Sequence, residues 1–283
     1  MFIKKQKCAK VFNLPVNLII TQVASIMAIV TLLTDSGEND HYVAAIKAKI
    51  LSTNPSIKII DISHKIAPCD LGHAAFVLKS VFRDFPKGTI HLVGVDATGK
   101  NKDAAIALQL EDHFFVGADN GLFGLITDKS HQQIAELNTI QPIITTFPEK
   151  DIFAPAAAKL ASGVSLTDLG RPMPSFKRMI DRTVKATKKG IAGTVVRVDG
   201  YGNLITNIPK DAFDILSKDK VFTVAFGGEK FRRIHQQYFD VEEGDCFILF
   251  NSLGLLEIGV NRGNASELLG MQYDSAVTIT FEE

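Results

Sequence analysis

The feature that most constrains this chain is a nearly unbroken apolar run over residues 28–34 that closes on Asp35. Consecutive apolar positions without polar alternation describe a strand covered on both faces, and a sheet flanked by helices on both sides provides that cover. A polar residue delivered at the carboxyl end of such a strand lies where α/β sheets leave their ligand crevice. After Ser36 and Gly37, the residues Val43, Ile46 and Ile50 recur at helical spacing up to Asn54-Pro55, and residues 56–62 read as a second strand, completing a βαβ unit. Asp70 is placed to cap a second helix with Ala74, Leu78, Val81 and Phe85 along one face. Pro86-Lys87-Gly88 ends it before a strand over 89–95, and Asp96 follows. Further strands are expected over 104–110 and 114–117, with a short helix between Asp151 and Gly163 that carries Pro155 in its first turn.

The pattern changes near residues 172–190, where Arg178, Arg182, Lys185, Lys188 and Lys189 accumulate and the apolar rhythm lapses. Beyond it, apolar runs over 191–198, 204–208, 221–226, 246–250, 255–260 and 276–281 are separated by turn signals without helical periodicity, as in a small barrel or sandwich. The expected architecture is therefore α/β. Residues 27–180 form a mostly parallel sheet sandwiched by helices, and residues 190–283 form a small β-barrel domain. Residues 1–26 begin basic and end apolar, but Pro15, Asn17 and Gln22 interrupt the apolar part, which is too short to span a bilayer. The folded protein is expected to begin at Met27, with the preceding stretch a disordered extension or an upstream start.

Thirty-one basic residues balance 31 acidic ones, so no overall field favours nucleic acid or an anionic membrane, and the expected ligand is a small molecule. Cys8, Cys69 and Cys246 form no CxxC pair, which suits a reducing cytoplasm and no structural zinc. His64 and His73 lie in different elements without a carboxylate at ligand spacing, so no metal site is expected. No Walker loop, GxGxxG, HExxH or GxSxG motif is present. The chemistry-bearing groups that remain are Asp35, Asp61, Asp96 and Asp119-Asn120 at strand ends, together with the glycine-flanked segments DGYGN and NSLGLLEIGVNRGNAS. A carboxylate accepts two hydrogen bonds from a ribose diol, and an asparagine amide both donates and accepts, as an adenine edge requires. Taken singly, an Asp after a strand is equally an ordinary cap or turn residue, and DGYGN a β-turn.

The ordered set TLLTDSGENDHYVAAIKAKILSTNP, IIDISHKI, AAFVLKSVFRDFPKGTIHLVGVD, FVGADNGLFGL, DIFAPAAAKLASG, VDGYGNLITNI and NSLGLLEIGVNRGNAS resembles the S-adenosyl-L-methionine hydroxide adenosyltransferase family, which is related to the fluorinase and chlorinase enzymes. The resemblance implies a homotrimer with substrate between the large domain of one subunit and the small domain of the next, no cofactor, and attack of water on ribose C5′ to give adenosine and L-methionine. It implies that Asp35 holds the ribose diol, that Asp199 and Asn203 meet the methionine end, and that Ser252 contacts its carboxylate. Asn261, Asn264 and Ala265 fall at the adenine pocket. Of the family's Asp, Arg and His that orient water, the first is Asp96. The arginine position falls on Asp103 or Ala104, and within TTFPEKD the histidine is replaced by Pro148. Lys100, Lys102 and Lys150 are the candidate replacement cations. Because an anionic Asp96 would repel halide, water is the expected nucleophile. Two competing readings are a non-catalytic binder of the nucleoside and a halide-dependent transferase.

Overall fold

The structure, a computed structural model, describes residues 28–98, 103–127, 129, 133–137, 143–180 and 182–282. The expectation for residues 1–26, and the candidates Lys100 and Lys102, lie outside the described residues. The apolar run forms β1 (Ile29–Thr34), followed by α1 (Tyr42–Thr53) and β2 (Lys58–Ser63). Next come α2 (Leu71–Val81) and β3 (Ile90–Gly94). Asp70 caps α2 as expected, its Oδ1 accepting from the His73 amide at 2.9 Å. The expected face of α2 is corrected at its end: the helix stops at Val81, a tight turn over Phe82–Asp84 follows, and fully buried Phe82 takes the place given to Phe85.

The first sheet is completed by β4 (Ala105–Leu110), β5 (His113–Ala118), β6 (Gln133–Glu136) and the short β7 (Arg171–Pro172), with α3 (Leu122–Ile126), α4 (Ala154–Ala161) and α5 (Leu166–Leu169) between them. Its strand order is β2-β1-β3-β5-β4-β6-β7. The first four strands run parallel, and the last three add on antiparallel. The order β2-β1-β3 reverses direction at β1, the switch point where open α/β sheets leave a crevice at the carboxyl ends of their strands.

Helices cover both faces. Ile46 and Ile50 of α1 pack with the alanines of α4 on Val30, Leu32, Leu92 and Val116, while Ala74, Ala75 and Leu78 of α2 pack with Leu122 and Phe123 on Leu33, Val93 and Phe115. Each fully buried Leu, Ile or Phe contributes roughly 1.5–3 kcal/mol. One polar chain crosses the sheet interior: Thr31 Oγ1 lies 2.7 Å from His91 Nδ1, whose Nε2 lies 3.3 Å from His113 Nδ1. Burial lowers His91 to about 3, so its ring stays neutral.

The second half holds β8 (Lys185–Thr187), β9 (Gly190–Val198), β10 (Leu204–Pro209), α6 (Lys210–Leu216), β11 (Val221–Phe226), β12 (Glu229–Phe231), β13 (Cys246–Phe250), β14 (Leu255–Val260), α7 (Ala265–Leu269) and β15 (Ala276–Glu282). These strands form one antiparallel sheet ordered β12-β11-β15-β9-β10-β14-β13, with β8 also paired to β9, curled into a nearly closed barrel around Ile191, Leu204, Ile248, Ile258, Val277 and Ile279. Long β9 makes the curl, since Gly190–Thr194 pair with β15 while Val195–Val198 pair with β10. The basic segment between the sheets is anchored to the first one. The Lys177 amide donates to Asp119 Oδ1 at 2.7 Å, and Met179 packs over Gly121, where a Cβ would stand 2.5 Å from Met179 Cγ.

Candidate active site

Two groups of polar residues stand out, one in each sheet. The first sits at the switch point. β1 and β3 are parallel neighbours with Thr34 opposite Gly94, so Asp35 and Asp96 leave adjacent strand ends. Asp35 Oδ2 accepts from the Asp96 amide at 3.2 Å and from the Cys69 amide at 2.9 Å, while its Oδ1 makes no hydrogen bond among the described residues. One carboxylate oxygen is thus fixed by the fold and the other is open to a ligand. Asp96 has φ +47° and Cys69 φ +61°, left-handed conformations that cost a non-glycine residue and that cluster at functional sites. Asn120, just past β5, holds the turn by donating to the Val95 carbonyl at 2.9 Å.

A third carboxylate, absent from the sequence-based set, joins them. Glu149 opens a π-helical turn (Glu149–Phe153) that runs straight into α4, and its carbonyl accepts from the Ala154 amide. Such turns are frequent at functional sites. The Glu149 side chain lies across Gly94: a Cβ on residue 94 would stand 2.7 Å from Glu149 Cγ and 3.4 Å from Thr34 Cγ2. Burial first, and then the negative charge of Asp35, lift its pKa to about 6. A sequence signal existed, because Glu149 directly follows the Pro148 that replaces the family's histidine, but nothing in the sequence showed that it packs on the Asp35 turn.

Of Asp103 and Ala104, the two residues at the position expected for the family's arginine, Asp103 forms an ion pair with Lys177. Burial raises the carboxyl pKa of neighbouring Asp119. Ala97, Asp103, Ala104, Pro148 and Phe153 share a cavity of about 240 Å3, so both altered segments border one space. Lys150, the third candidate cation, is paired with Asp151 at 3.2 Å. Among the described residues, a cation that the fold brings to Asp103 is Lys177, from the basic stretch where the apolar rhythm lapses. Among the described residues no group of three His, Cys, Asp or Glu side chains could hold a metal ion.

The second group surrounds a cavity of about 640 Å3 lined by Asp199, Tyr201, Asn203, Tyr238, Phe247, Asn261 and Asn264, among others. Four of the sequence-derived candidates therefore share one wall. DGYGN is the β9–β10 turn: Asp199 Oδ1 accepts from the amides of Tyr201 at 2.8 Å and Asn203 at 2.9 Å, and Asn203 Nδ2 donates to Asp199 Oδ2 at 3.3 Å. Gly202 has φ +84°, and a Cβ there would lie 2.0 Å from Asn264 Oδ1, so glycine is required by both conformation and space. Asn264 caps α7, and the Ser266 amide donates to the Gly202 carbonyl at 2.9 Å, locking the two loops together. Asn261 Nδ2 donates to the Val241 carbonyl at 2.8 Å. Ser252 lies in the exposed turn after β13, outside this wall. The Ala265 side chain is fully buried in the barrel core, leaving its backbone beside the loops.

Comparison with known proteins agrees over both halves. The model of the SAM hydroxide adenosyltransferase N-terminal domain matches residues 30–170, and that of the C-terminal domain matches residues 193–278. An (R)-S-adenosyl-L-methionine hydrolase of Methanocaldococcus jannaschii is 32% identical over 269 residues, covering 90% of this chain and 97% of its own. A fluorinase of an Actinoplanes species is 24% identical over 64% of this chain and 71% of its own. A conserved protein of Thermotoga maritima, known from its crystal structure, superposes with a TM-score of 0.81 at 34% identity, covering 89% of this chain and 99% of its own. With both domain models matched in order across the two sheets, the chain belongs to the SAM hydroxide adenosyltransferase family.

Proposed function

We propose that this protein hydrolyses S-adenosyl-L-methionine to adenosine and L-methionine by in-line attack of water on ribose C5′. The observation that carries the reading is the pairing of Asp35 with Asp96 at the β1/β3 switch point. The open Oδ1 of Asp35 accepts the ribose diol, which fixes the sugar beside the Asp96 carboxylate. Asp96 accepts a hydrogen bond from the water and holds it behind C5′. The sulfonium is a good leaving group that loses its positive charge on departure, so positioning and desolvation of the water supply much of the acceleration. The reaction drawn this way uses no metal or cofactor. Carboxylates around the nucleophile disfavour halide and leave water as the attacking species.

In this reading the amide-rich wall formed by Asp199, Asn203, Asn261 and Asn264, with Ser252 and the Ala265 backbone, grips the adenine and the methionine end. Because the two residue groups belong to different sheets, we place them in one site through a homotrimer, the barrel of one subunit closing over the switch point of the next. Tyr201, 83% exposed on the rim of the cavity, supports this because a large aromatic there has something to cover. Among the described residues no helix is long and apolar enough to cross a membrane, and the proposed compartment is the cytoplasm.

The test is to incubate the full chain with S-adenosyl-L-methionine, with and without chloride, and to identify the nucleosides by chromatography and mass. Adenosine is the expected product, and Asp96→Ala is expected to lower kcat about 100-fold or more, the scale of misplacing the attacking group. Ligand binding without turnover, 5′-chloro-5′-deoxyadenosine as the product, or an unchanged rate in Asp96→Ala would each overturn it.

A further inference from the structure

Resting on the hydrolase reading, we infer that Glu149 is the catalytic base: it touches the attacking water and takes its proton. The placement is geometric. The side chain leaves the first residue of the π-helical turn and lies over Gly94, the last residue of β3 and the neighbour of Thr34 at the end of β1. It therefore lies at the ends of β1 and β3, the strands that lead into Asp35 and Asp96, and within reach of the Asp35 charge. Glycine at 94 is what admits it, because any Cβ there would displace the Glu149 side chain.

The balance of the step is simple. The water oxygen forms a bond to C5′, the C5′–S bond breaks, and its electron pair returns to sulfur as the neutral thioether of methionine. One proton of the water passes to the Glu149 carboxylate and then to solvent. A base that is ionised near neutrality but not far below it suits this step, and burial with the charge of Asp35 sets Glu149 there, at about 6. Other charged groups around the turn are engaged elsewhere. Lys150 and Asp151 pair with each other, Lys49 of α1 faces Asp151, and Asp119 beyond β5 accepts from the Lys177 amide. On α1, the rings of His41 and Tyr42 stack with centroids 4.5 Å apart, and Tyr42 meets Phe147 edge-on. This gives an acidic site that has lost the family's histidine a proton acceptor from an adjacent backbone position.

The experiment follows adenosine formation by the wild type, Glu149→Gln and Glu149→Asp between about pH 5 and 8, alongside calorimetric titration of S-adenosyl-L-methionine into each. The wild-type kcat is expected to rise with pH through an apparent pKa near 6. Glu149→Gln is expected to lose about 100-fold in kcat and the acidic limb of the profile, while affinity stays within about threefold. Glu149→Asp is expected to recover part of kcat and a shifted limb. A Glu149→Gln enzyme with wild-type kcat, with the limb intact, or with a loss confined to KM would overturn the inference and leave the hydrolase reading standing. A wild type that binds substrate without forming adenosine would overturn both.

Discussion

The two polar groups of this protein are built from opposite materials. At the switch point, the Asp35 and Glu149 carboxylates act on each other beside the Asp96 turn, Asp96 sits at positive φ, and Glu149 is pushed away from its ordinary ionisation range. On the barrel, Asp199 accepts from the amides of its own turn, Asn264 caps α7, and glycine takes the positive φ at position 202, while Arg262 on the same wall stands at φ +57°. The first arrangement stores unfavourable electrostatics and backbone strain that a cationic substrate and a reacting water can relieve. The second has its hydrogen bonds settled before any ligand arrives and offers a fixed shape. Strain and perturbed ionisation suit chemistry, and preorganised amides suit recognition.

If that division holds, substitutions should separate by kinetic constant. The largest effect is expected for Asp35→Ala. It removes the acceptor of two backbone amides, those of Cys69 and Asp96, as well as the proposed diol contact, so kcat/KM should fall roughly 1,000-fold with both constants affected. Steady-state kinetics with S-adenosyl-L-methionine check this, and a loss below about tenfold would break the comparison by showing that Asp35 does not organise the catalytic turn.

Next in size is Gly202→Ala. The added methyl meets Asn264 Oδ1 and the backbone loses its unstrained φ, so the DGYGN turn must move away from the α7 cap. Such strain costs about 1–3 kcal/mol, and it falls on binding geometry, so KM should rise roughly 10- to 100-fold with kcat little changed. The same assay decides it. A fall in kcat at constant KM would mean that the barrel loops take part in the chemical step.

The two regions also differed in how far they could be read in advance. The α/β half was legible because its strands are continuous apolar runs and its helices keep a strict apolar face, and the strand-end Asp35 and Asp96 follow directly from those boundaries. DGYGN and the Asn264 region were legible as turns because glycine and asparagine there answer to local geometry. Glu149 and Lys177 were not legible. Each reaches its place through a contact distant in sequence, Glu149 over Gly94 and Lys177 to Asp103, and neither segment has a periodicity that announces where it docks. The antiparallel pairing of β4, β6 and β7 was hidden for the same reason, since pairing direction depends on where a connection returns and strand composition does not record it.

The smallest expected effect gives the sharpest view of the stored electrostatics, because it needs no substrate. Glu149 carries a native pKa raised from an ordinary 4.5 to about 6. Below pH 4.5 the carboxyl is protonated in both the folded and the unfolded chain, and it costs nothing. As the pH rises through 6 the unfolded chain has already released the proton, the folded chain must hold a half-buried charge beside Asp35, and stability is lost. Glu149→Gln, which stays neutral, should therefore be more stable than the wild type at pH 7.5 by roughly 1–2 kcal/mol, after allowing for partial solvent screening. That advantage should shrink between pH 6 and 4.5 and vanish below. Chemical denaturation of both proteins at three pH values reads the difference directly. A stability gap that does not change with pH would mean that Glu149 ionises normally, and the contrast between the crevice and the binding wall would then lose its electrostatic basis.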